Sequence, residues 1–310
     1  MKILVTGGAG FIASHVADAF VAAGHEVCVI DDLSSGRREQ VNPKARFYQL
    51  DIQDAAVGDV WRRERPEVLC HHAAQMDVRR SVADPAFDAR VNVLGLINLM
   101  EHGRRHGLRR VLFASTGGAI YGEQDVFPAP ESHKTEPLSP YGVTKLASER
   151  YLFFYAVTYG VSYAALRYAN VYGPRQNPHG EAGVVAIFCE KLLRGEQPII
   201  NGDGTQTRDY VYVGDIVRAN LAALQSDFTG AVNLGTAVET DVNTIFRLLA
   251  PLCGSAAPEH HGPAKPGEQR RSVIGNALAQ RVLGWQPQMA LADGLRPTVD
   301  FFRQQFQLKS

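Results

Sequence analysis

Tyr141 and Lys145 stand four residues apart, just after a Ser139-Pro140 pair of the kind that begins helices. On a helix this spacing puts both side chains on one face, so a phenol and an ammonium group are predicted to lie side by side. The positive charge would lower the pKa of Tyr141 and make the phenol a general base near neutral pH. The alternative is that Tyr141 is only a partly buried aromatic side chain of that helix.

Two hydroxyl residues, Ser115 and Thr116, follow an apolar run at residues 110–114 that is typical of a buried strand. Ligands of open α/β sheets bind beyond the carboxyl ends of the strands. The position of the two hydroxyls at the end of a strand favours a catalytic role for Tyr141 and Lys145, which begin the next long helix along the chain. The alternative for the two hydroxyls is that they only satisfy backbone groups at the end of the strand.

A glycine-dense turn at residues 7–10 joins the first apolar run to an amphipathic helix that begins near Phe11. Glycine lets the backbone approach a ligand closely, and the first N–H groups of a helix attract negative charge. Gly7, Gly10 and Ala13 stand three apart, a variant of the dinucleotide fingerprint with Ala in the third place. The turn therefore predicts a pyrophosphate site, and the alternative is an ordinary strand, turn and helix.

Two carboxylates, Asp31 and Asp32, end the second apolar run about twenty residues after these glycines. A carboxylate at this place can accept hydrogen bonds from an adenosine ribose and would repel a 2′-phosphate, so NAD is expected rather than NADP. Arg37 and Arg38 follow closely and keep NADP open as an alternative. Asp31 is assigned to the ribose, whereas Asp32 is more typical of a residue that caps a turn.

The order of the elements predicts the fold class and the domains. Apolar runs alternate with helical patterns up to about residue 170, and Pro and Gly then become frequent. We expect an α/β fold, with a Rossmann-type doubly wound parallel sheet in residues 1–170 and a smaller mixed α/β lobe in residues 171–310, with some exchange of chain between the two. The predicted strands are residues 2–5, 26–30, 46–50, 68–72, 110–114, 161–167 and 198–201. The predicted helices after the first are residues 85–103, 140–159, 184–194, 242–252, 276–283 and 291–305.

Composition limits the classes of function. The chain has 310 residues, of which 45% are hydrophobic and 21% charged, and its formal net charge is zero. No block of like charge points to nucleic acid or to an anionic membrane, and no apolar run reaches the roughly 18 residues of a membrane span. We expect a cytoplasmic protein without a nucleic-acid or membrane partner. Its four cysteines lack the spacing of metal ligands, so no metal is expected and the thiols should be reduced.

Several motifs together resemble the extended short-chain dehydrogenases/reductases, and among them the UDP-glucose (UDP-galactose) 4-epimerases most. They include TGGAGFIASH, VIDDLSSG, ASTGGAIYG, SPYGVTK, RYANVYGP and GDGTQTRDYVYVGD, and they span nearly the whole chain. The resemblance implies NAD-dependent epimerisation at C4 of a UDP-hexose through a transient 4-keto sugar, with Tyr141 as the base. The alternatives are an epimerase of another UDP-sugar, an N-acetylhexosamine or a uronate, and a non-catalytic NAD-binding regulator.

The same resemblance implies contacts residue by residue. For catalysis it implies Tyr141, Lys145 and Thr116. For NAD it implies Gly7, Gly10, Phe11, Ile12, Asp31, Asp51, Ile52, Ala73, Asn92, Ser115, Tyr141 and Lys145. For the UDP-sugar it implies Thr116, Asn170, Arg208, Lys265 and Glu268, with Arg270 or Arg271 as an alternative to Lys265.

One position departs from the family pattern. The hydroxyl residue that polarises the 4-oxygen of the sugar usually lies four places before the tyrosine of the YG pair, and that place is Gly117. We assign the role to Thr116, with Ser115 or an unassisted Tyr141 as the alternatives. The related dehydratases and decarboxylases carry acidic residues after this threonine, where this chain has Gly117 and Gly118. Elimination chemistry is therefore not expected.

Relatives of this family commonly dimerise through two long helices, which here are residues 85–103 and 140–159. We expect a homodimer. Leu152, Phe153 and Phe154 either supply the apolar contact or belong to the core.

Overall fold

The computed structural model describes residues 1–179, 183–264 and 269–307. Within these residues the strands are β1 (Lys2–Thr6), β2 (Glu26–Asp31), β3 (Arg46–Gln49), β4 (Val68–His71), β5 (Arg110–Thr116), β6 (Ser162–Tyr168), β7 (Asn170–Tyr172), β8 (Ile200–Asn201), β9 (Thr207–Arg208), β10 (Tyr210–Tyr212), β11 (Gly230–Leu234), β12 (Thr240–Asp241), β13 (His261–Gly262) and β14 (Arg271–Ser272). The helices are α1 (Phe11–Ala22), α2 (Val57–Glu64), α3 (Val78–Ala83), α4 (Pro85–Ala89), α5 (Gly95–Arg105), α6 (Gly117–Ile120), α7 (Pro140–Tyr159), α8 (Val184–Leu193), α9 (Val213–Gln225), α10 (Val242–Leu252), α11 (Ala277–Leu283) and α12 (Leu291–Gln307). A 3₁₀ turn at Arg38–Gln40 and a π-helical turn at Arg90–Leu94 complete the helical elements.

Seven of the described strands form one parallel sheet in the order β11-β6-β5-β4-β1-β2-β3. Along the chain, β2 and β3 are added on one side of β1, and β4 then pairs with β1 on its other side. Thr6, at the end of β1, lies opposite Ile30 on β2 and His71 on β4. This reversal of strand order creates a crevice at the carboxyl edge of the sheet. The predicted α/β fold with a doubly wound parallel sheet is confirmed.

The central strands are apolar throughout because helices cover both faces of the sheet. Ile3 and Val5 pack into one buried cluster with residues of α1 and α9, including Phe20. Leu4 points the other way and packs with residues of α5 and α7, such as Leu99 and Leu152. This alternation along β1 is the two-residue period of a strand with a layer of helices on each side.

The sheet also contains an element that the sequence did not predict. β11 pairs along β6, and α9 packs against α1. The buried guanidinium of Arg110 on β5 ties the connection between them to the sheet, because it donates to the carbonyl oxygens of Ala223 (2.8 Å) and Phe228 (3.0 Å). Residues 213–234 therefore pack in the sheet layer, and a division of the chain at residue 170 stays a prediction.

A third buried cluster lies outside the sheet layer. α8, α10 and α12 pack around it through Phe188, Phe246 and Phe302. The short strands of this part pair as β10 with β7, as β12 with β9 and β14, and as β13 with β8. The elements are thus mixed α/β, and Arg208 lies on β9 between its two neighbouring strands.

The two long helices begin where the sequence predicted and differ in regularity. The Ser139 hydroxyl accepts a hydrogen bond from the Gly142 amide (3.2 Å) at the start of α7, and Asp84 accepts one from Phe87 (2.9 Å) at the start of α4. α7 runs without interruption to Tyr159. The other predicted helix is divided by the π-helical turn into α4 and α5, and such turns occur often near functional sites.

Among the described residues, no helix combines the length and apolarity needed to cross a membrane, and no three His, Cys, Asp or Glu side chains come together as a metal site. The four cysteines are free thiols, of which Cys253 is half-buried and the others are buried.

Candidate active site

The glycine turn lies between β1 and α1, beside the carboxyl end of β4. Gly7 has φ +72, and a Cβ there would come within 2.7 Å of the backbone nitrogen of Ala73, so both its conformation and the space exclude a side chain. Gly10 occupies the N-cap of α1, and among the described residues no side chain caps this end of the helix. The first N–H groups of α1, which include Phe11 and Ile12, have no acceptor inside the helix. The turn thus fits a diphosphate.

Asp31 is buried at the end of β2 and braces the glycine turn. Its carboxylate accepts hydrogen bonds from the amides of Ala9 (2.9 Å) and Leu33 (2.8 Å). Burial raises the pKa of Asp31, while these two backbone bonds act in the opposite direction. Asp32 instead accepts from the Ser34 amide (2.9 Å) and hydroxyl (2.7 Å), which is the turn-capping role expected of it. The contact of Asp31 with a ribose stays a prediction.

Asp51 and Ile52 follow β3 at the same edge of the sheet. The Asp51 carboxylate accepts a hydrogen bond from the Gln53 amide (2.8 Å). The Ile52 side chain is buried in the core and lies against Gly95. An adenine ring could therefore meet Ile52 only through its backbone, and it could meet Asp51 through its carboxylate.

Asn92 lies in the π-helical turn and holds the loop that follows β4. Its side-chain oxygen accepts from the Gln75 amide (2.9 Å), and its side-chain nitrogen donates to the Gln75 carbonyl (2.9 Å). Ala73 begins this loop, and its amide donates to the Thr6 hydroxyl (3.3 Å). Asn92 thus shapes the cleft indirectly, because it fixes the loop that follows β4. A direct contact of Asn92 with the cofactor stays a prediction.

The structure brings Tyr141 and Lys145 together on α7, over the end of β5. The Lys145 ammonium group donates to the carbonyl oxygen of Ala114 (2.8 Å) and lies 5.8 Å from the centre of the Tyr141 ring. Burial lowers the pKa of Lys145 to about 8, although the charges of Asp88 and Glu149 raise it. Lys145 is therefore mostly protonated at neutral pH.

The expected lowering of the Tyr141 pKa is wrong for the protein by itself. Burial raises the pKa of Tyr141, the charge of Asp88 raises it further, and only a hydrogen bond with Thr116 lowers it. Desolvation of the phenolate outweighs this one favourable interaction. The phenol of the free protein is therefore protonated at neutral pH.

Ser115 and Thr116 point to opposite faces of the sheet. The Ser115 hydroxyl donates to Glu149 (2.6 Å), which forms a buried ion pair with Arg167 (2.7 Å). The Thr116 hydroxyl caps α6 by accepting from the Ala119 amide (3.2 Å) and is hydrogen-bonded to Tyr141. Of the two hydroxyls considered, Thr116 is thus the one beside the phenol.

The missing hydroxyl residue at position 117 has a steric explanation. A Cβ on Gly117 would collide with the side chain of Ile274, which fills the space in front of it. Gly118 is more open, and a Cβ there would lie 3.6 Å from the side-chain oxygen of Asn170. Asn170 therefore reaches the same end of α6 as Thr116.

The other predicted substrate contacts are only partly described. Arg208 is half-buried on β9 and donates to the carbonyl oxygen of Thr207 (2.7 Å). Lys265 and Glu268 lie outside the described residues. Arg271, considered as an alternative to Lys265, pairs with Glu239 (2.6 Å) and lies over the ring of Phe127, so it is already engaged.

Sequence reasoning missed three buried charged residues close to the pair, namely Asp88, Glu149 and Arg167. Glu149 lies four residues after Lys145 on the same face of α7, and Arg167 lies in a strand predicted to be buried. Charged residues at such positions are almost never buried without a partner. The spacing could therefore have predicted the ion pair of Glu149 with Arg167.

Comparison with known proteins gives consistent matches over the whole length. The sequence model of the NAD-dependent epimerase/dehydratase family matches residues 3–235. A UDP-glucose 4-epimerase of Mycolicibacterium smegmatis is 46% identical over 314 residues, which cover 99% of this chain and 100% of the relative. The crystal structure of a UDP-glucose 4-epimerase from Thermotoga maritima with UDP-glucose has a TM-score of 0.97 and 48% identity, and the match covers 99% of this chain and 100% of the other. The Thermus thermophilus UDP-glucose 4-epimerase in complex with NAD has a TM-score of 0.93 and 44% identity, with 98% and 99% covered.

We expect Gly7→Ala to weaken the binding of NAD at least about tenfold, that is by about 1.4 kcal/mol or more. The added methyl group would collide with the backbone of Ala73, which cannot move aside as a side chain could. Gly24→Ala is the matched control, because Gly24 has φ +82 with open space around it and so carries the strain of roughly 1–2 kcal/mol without the collision. Calorimetric titration of cofactor-free protein measures the affinity, and thermal unfolding measures the stability. Equal affinities for the two variants would contradict the role given to Gly7.

Proposed function

The chain belongs to the NAD-dependent epimerase/dehydratase family, and we propose that it interconverts UDP-glucose and UDP-galactose by inverting C4 through a transient 4-keto sugar. One observation carries the proposal: a half-buried phenol, Tyr141, lies between the Thr116 hydroxyl and the Lys145 ammonium group at the sheet edge that carries the glycine turn. The cofactor is NAD. The relatives named for the same activity, at 44–48% identity over nearly the full length, support the choice of substrate. The proposal includes a cytoplasmic location, which composition favours.

Tyr141 is the base of the proposed reaction. NAD⁺, when bound, accepts a hydride from C4 of the sugar and later returns it to the opposite face. Tyr141 takes the proton of the 4-hydroxyl and gives it back when the hydroxyl is formed again. Because burial raises the pKa of Tyr141, its ionised form needs a stabilising positive charge nearby. Lys145, charged below pH about 8, supplies one such charge throughout the cycle.

Thr116 supports the phenol in this mechanism, and the second lobe holds the substrate. The Thr116 hydroxyl can pass its hydrogen bond from Tyr141 to the sugar oxygen, which replaces the hydroxyl that Gly117 lacks. Asn170 and Arg208 are proposed to hold the diphosphate, while Lys265 and Glu268 contact the diphosphate and the uridine ribose. Because the protein binds the substrate through its nucleotide, the hexose is free to turn and to present either face to the same base.

The first test is turnover. We expect the purified protein to convert UDP-galactose into UDP-glucose without added reductant, because the cycle regenerates its own oxidant. Tyr141→Phe should lower kcat by roughly 10²–10⁴-fold, since it removes the proton acceptor while keeping the ring. Coupled detection of UDP-glucose measures the rate, and NAD content of the folded variant is the control. If the protein converts only a UDP-N-acetylhexosamine or a UDP-uronate, the assignment of the substrate changes. If folded, NAD-bound wild type converts no UDP-sugar at all, the proposal is overturned.

The second test separates the two hydroxyls. We expect Thr116→Val to lower kcat by roughly 10²–10³-fold, because the isosteric change removes the hydrogen bond to the reacting phenol. Ser115→Ala is the matched control, since its hydroxyl is bonded to Glu149 on the other face of β5, and it should change kcat by no more than a few-fold. Steady-state kinetics with UDP-galactose distinguish the two. Equal losses in the two variants would contradict the assignment of Thr116.

We also propose that the protein is a homodimer that joins through α5 and α7. Leu152 belongs to the core, but Phe153 is 56% exposed, and Phe154, Val157 and Leu94 are also exposed apolar residues of these helices and the turn between α4 and α5. A row of large apolar side chains on one helix surface favours a partner helix over solvent.

Phe153→Arg should convert the dimer into a monomer, because a charge would be buried in the proposed interface. Leu138→Arg is the control, since Leu138 is 72% exposed but lies outside these helices. Sedimentation equilibrium at micromolar concentration gives the mass of each variant. A monomeric wild type would remove the dimer from the proposal.

A further inference from the structure

A buried carboxylate lies beside the catalytic pair and takes no part in the mechanism above. Asp88, on α4, is 0% exposed. One carboxylate oxygen accepts a hydrogen bond from the Thr144 hydroxyl (2.7 Å), and the other accepts from the side-chain nitrogens of Gln75 (3.0 Å) and Asn92 (3.2 Å). All three donors are neutral groups. A buried charge surrounded by neutral partners is expensive unless a compensating charge is near.

The Lys145 ammonium group is close enough for its charge to interact with that of Asp88. Thr144, which donates to Asp88, directly precedes Lys145 and follows Tyr141 by three residues on the first turns of α7. The charge of Asp88 acts on both members of the pair, since it raises the pKa of Lys145 and that of Tyr141. Asp88 is thus coupled to the pair both electrostatically and through one hydrogen bond.

The other titratable groups around the pair do not replace Asp88. Glu149, on α7, shares its charge with Arg167 of β6 in a bidentate ion pair. His71 and His72, at the end of β4, have pKa values lowered by burial and then by the charge of Lys145, so both are neutral at neutral pH. Of the carboxylates that act on Lys145, Glu149 is thus already paired with an arginine, whereas the side chains that donate to Asp88 within the described part of the chain are all neutral.

We propose that Asp88 is a positioning residue that acts through Lys145 and Tyr141: its buried negative charge keeps the lysine in the ammonium form, and its bond to Thr144 fixes the start of α7. This inference rests on the proposed function, in which both side chains act. A buried carboxylate on α4 thereby sets the pH range in which the enzyme is active.

The sign of the pH effect follows from the two ionisations. Activity requires a phenol that can lose its proton and an ammonium group that keeps its own. Removing the negative charge of Asp88 lowers the pKa of Tyr141 and also lowers the pKa of Lys145 from about 8. Because both ionisations move in the same direction, both limbs of the activity profile move to lower pH. A merely structural defect would lower the rate and leave both limbs in place.

The test compares Asp88→Asn with Thr144→Val. The first removes the charge and keeps the shape, so we expect both limbs of the kcat/KM profile for UDP-galactose to move down by roughly one pH unit. The second removes the strongest hydrogen bond and keeps the charge, so the rate should fall while both limbs stay within about a few tenths of a unit. Asp215→Asn is a further control, since Asp215 is equally buried at 0% exposed but lies on α9.

A direct reading of the lysine completes the test. NMR titration of ¹⁵N-labelled lysine side chains, with the signal assigned by its loss in Lys145→Arg, should give a lower pKa in Asp88→Asn than in wild type. If Asp88→Asn does not fold, Asp88→Ser removes the charge and leaves a hydroxyl facing Thr144. Unshifted limbs and an unchanged lysine titration, with active wild type, would overturn the role of Asp88 alone. An inactive wild type would overturn the proposed function instead, and the lysine titration would still decide whether Asp88 holds the charge of Lys145.

Discussion

The placement of a half-buried phenol beside a buried ammonium group is the constraint on which the rest of this structure depends. Each loses solvation, and the effect is large enough to lower the pKa of Lys145 to about 8 and to raise that of Tyr141. The protein replaces the lost water with fixed partners. The Ala114 carbonyl accepts from the ammonium group, Thr116 bonds the phenol, and Asp88 supplies a negative charge. A preorganised polar site of this kind does not have to rearrange as charge moves during a reaction.

The topology of the sheet brings these partners to the cofactor cleft. The order of strands reverses beside β1, so the glycine turn, the loop after β4 and the end of β5 meet at one edge. α7 crosses this edge with its first turns directed at Thr116, and the buried ion pair of Glu149 with Arg167 attaches its next turn to β6. The position of Tyr141 is thus fixed at several points along one helix, which gives the accurate placement that the base proposed for this reaction requires.

The sequence predicted the sheet and α7 well, because both rest on local patterns: continuous apolar runs, a Ser-Pro start and a Gly end. It missed α9 and β11, because they return to the sheet from a part of the chain whose Pro and Gly content suggested a separate lobe. It favoured Thr116 and kept Ser115 as an alternative, although the two-residue period of a strand separates them once one is known to face α7. It predicted the wrong direction for the Tyr141 pKa, because spacing shows which charges are near but not how much water is excluded.

Gly117 shows how contacts distant in the sequence decide a local substitution. Ile274 comes from the last part of the chain and packs where a side chain at position 117 would have to lie. The backbone of the same residue forms a β-bridge with Ala129, which helps to hold Ile274 in place. A hydroxyl could not occupy position 117 without displacing Ile274, whereas the hydroxyl one residue earlier, at the end of β5, reaches Tyr141 and caps α6 at the same time. This packing contact therefore favours glycine at position 117 and leaves Thr116 as the hydroxyl beside Tyr141, and it joins this sheet edge to the lobe proposed to hold the substrate.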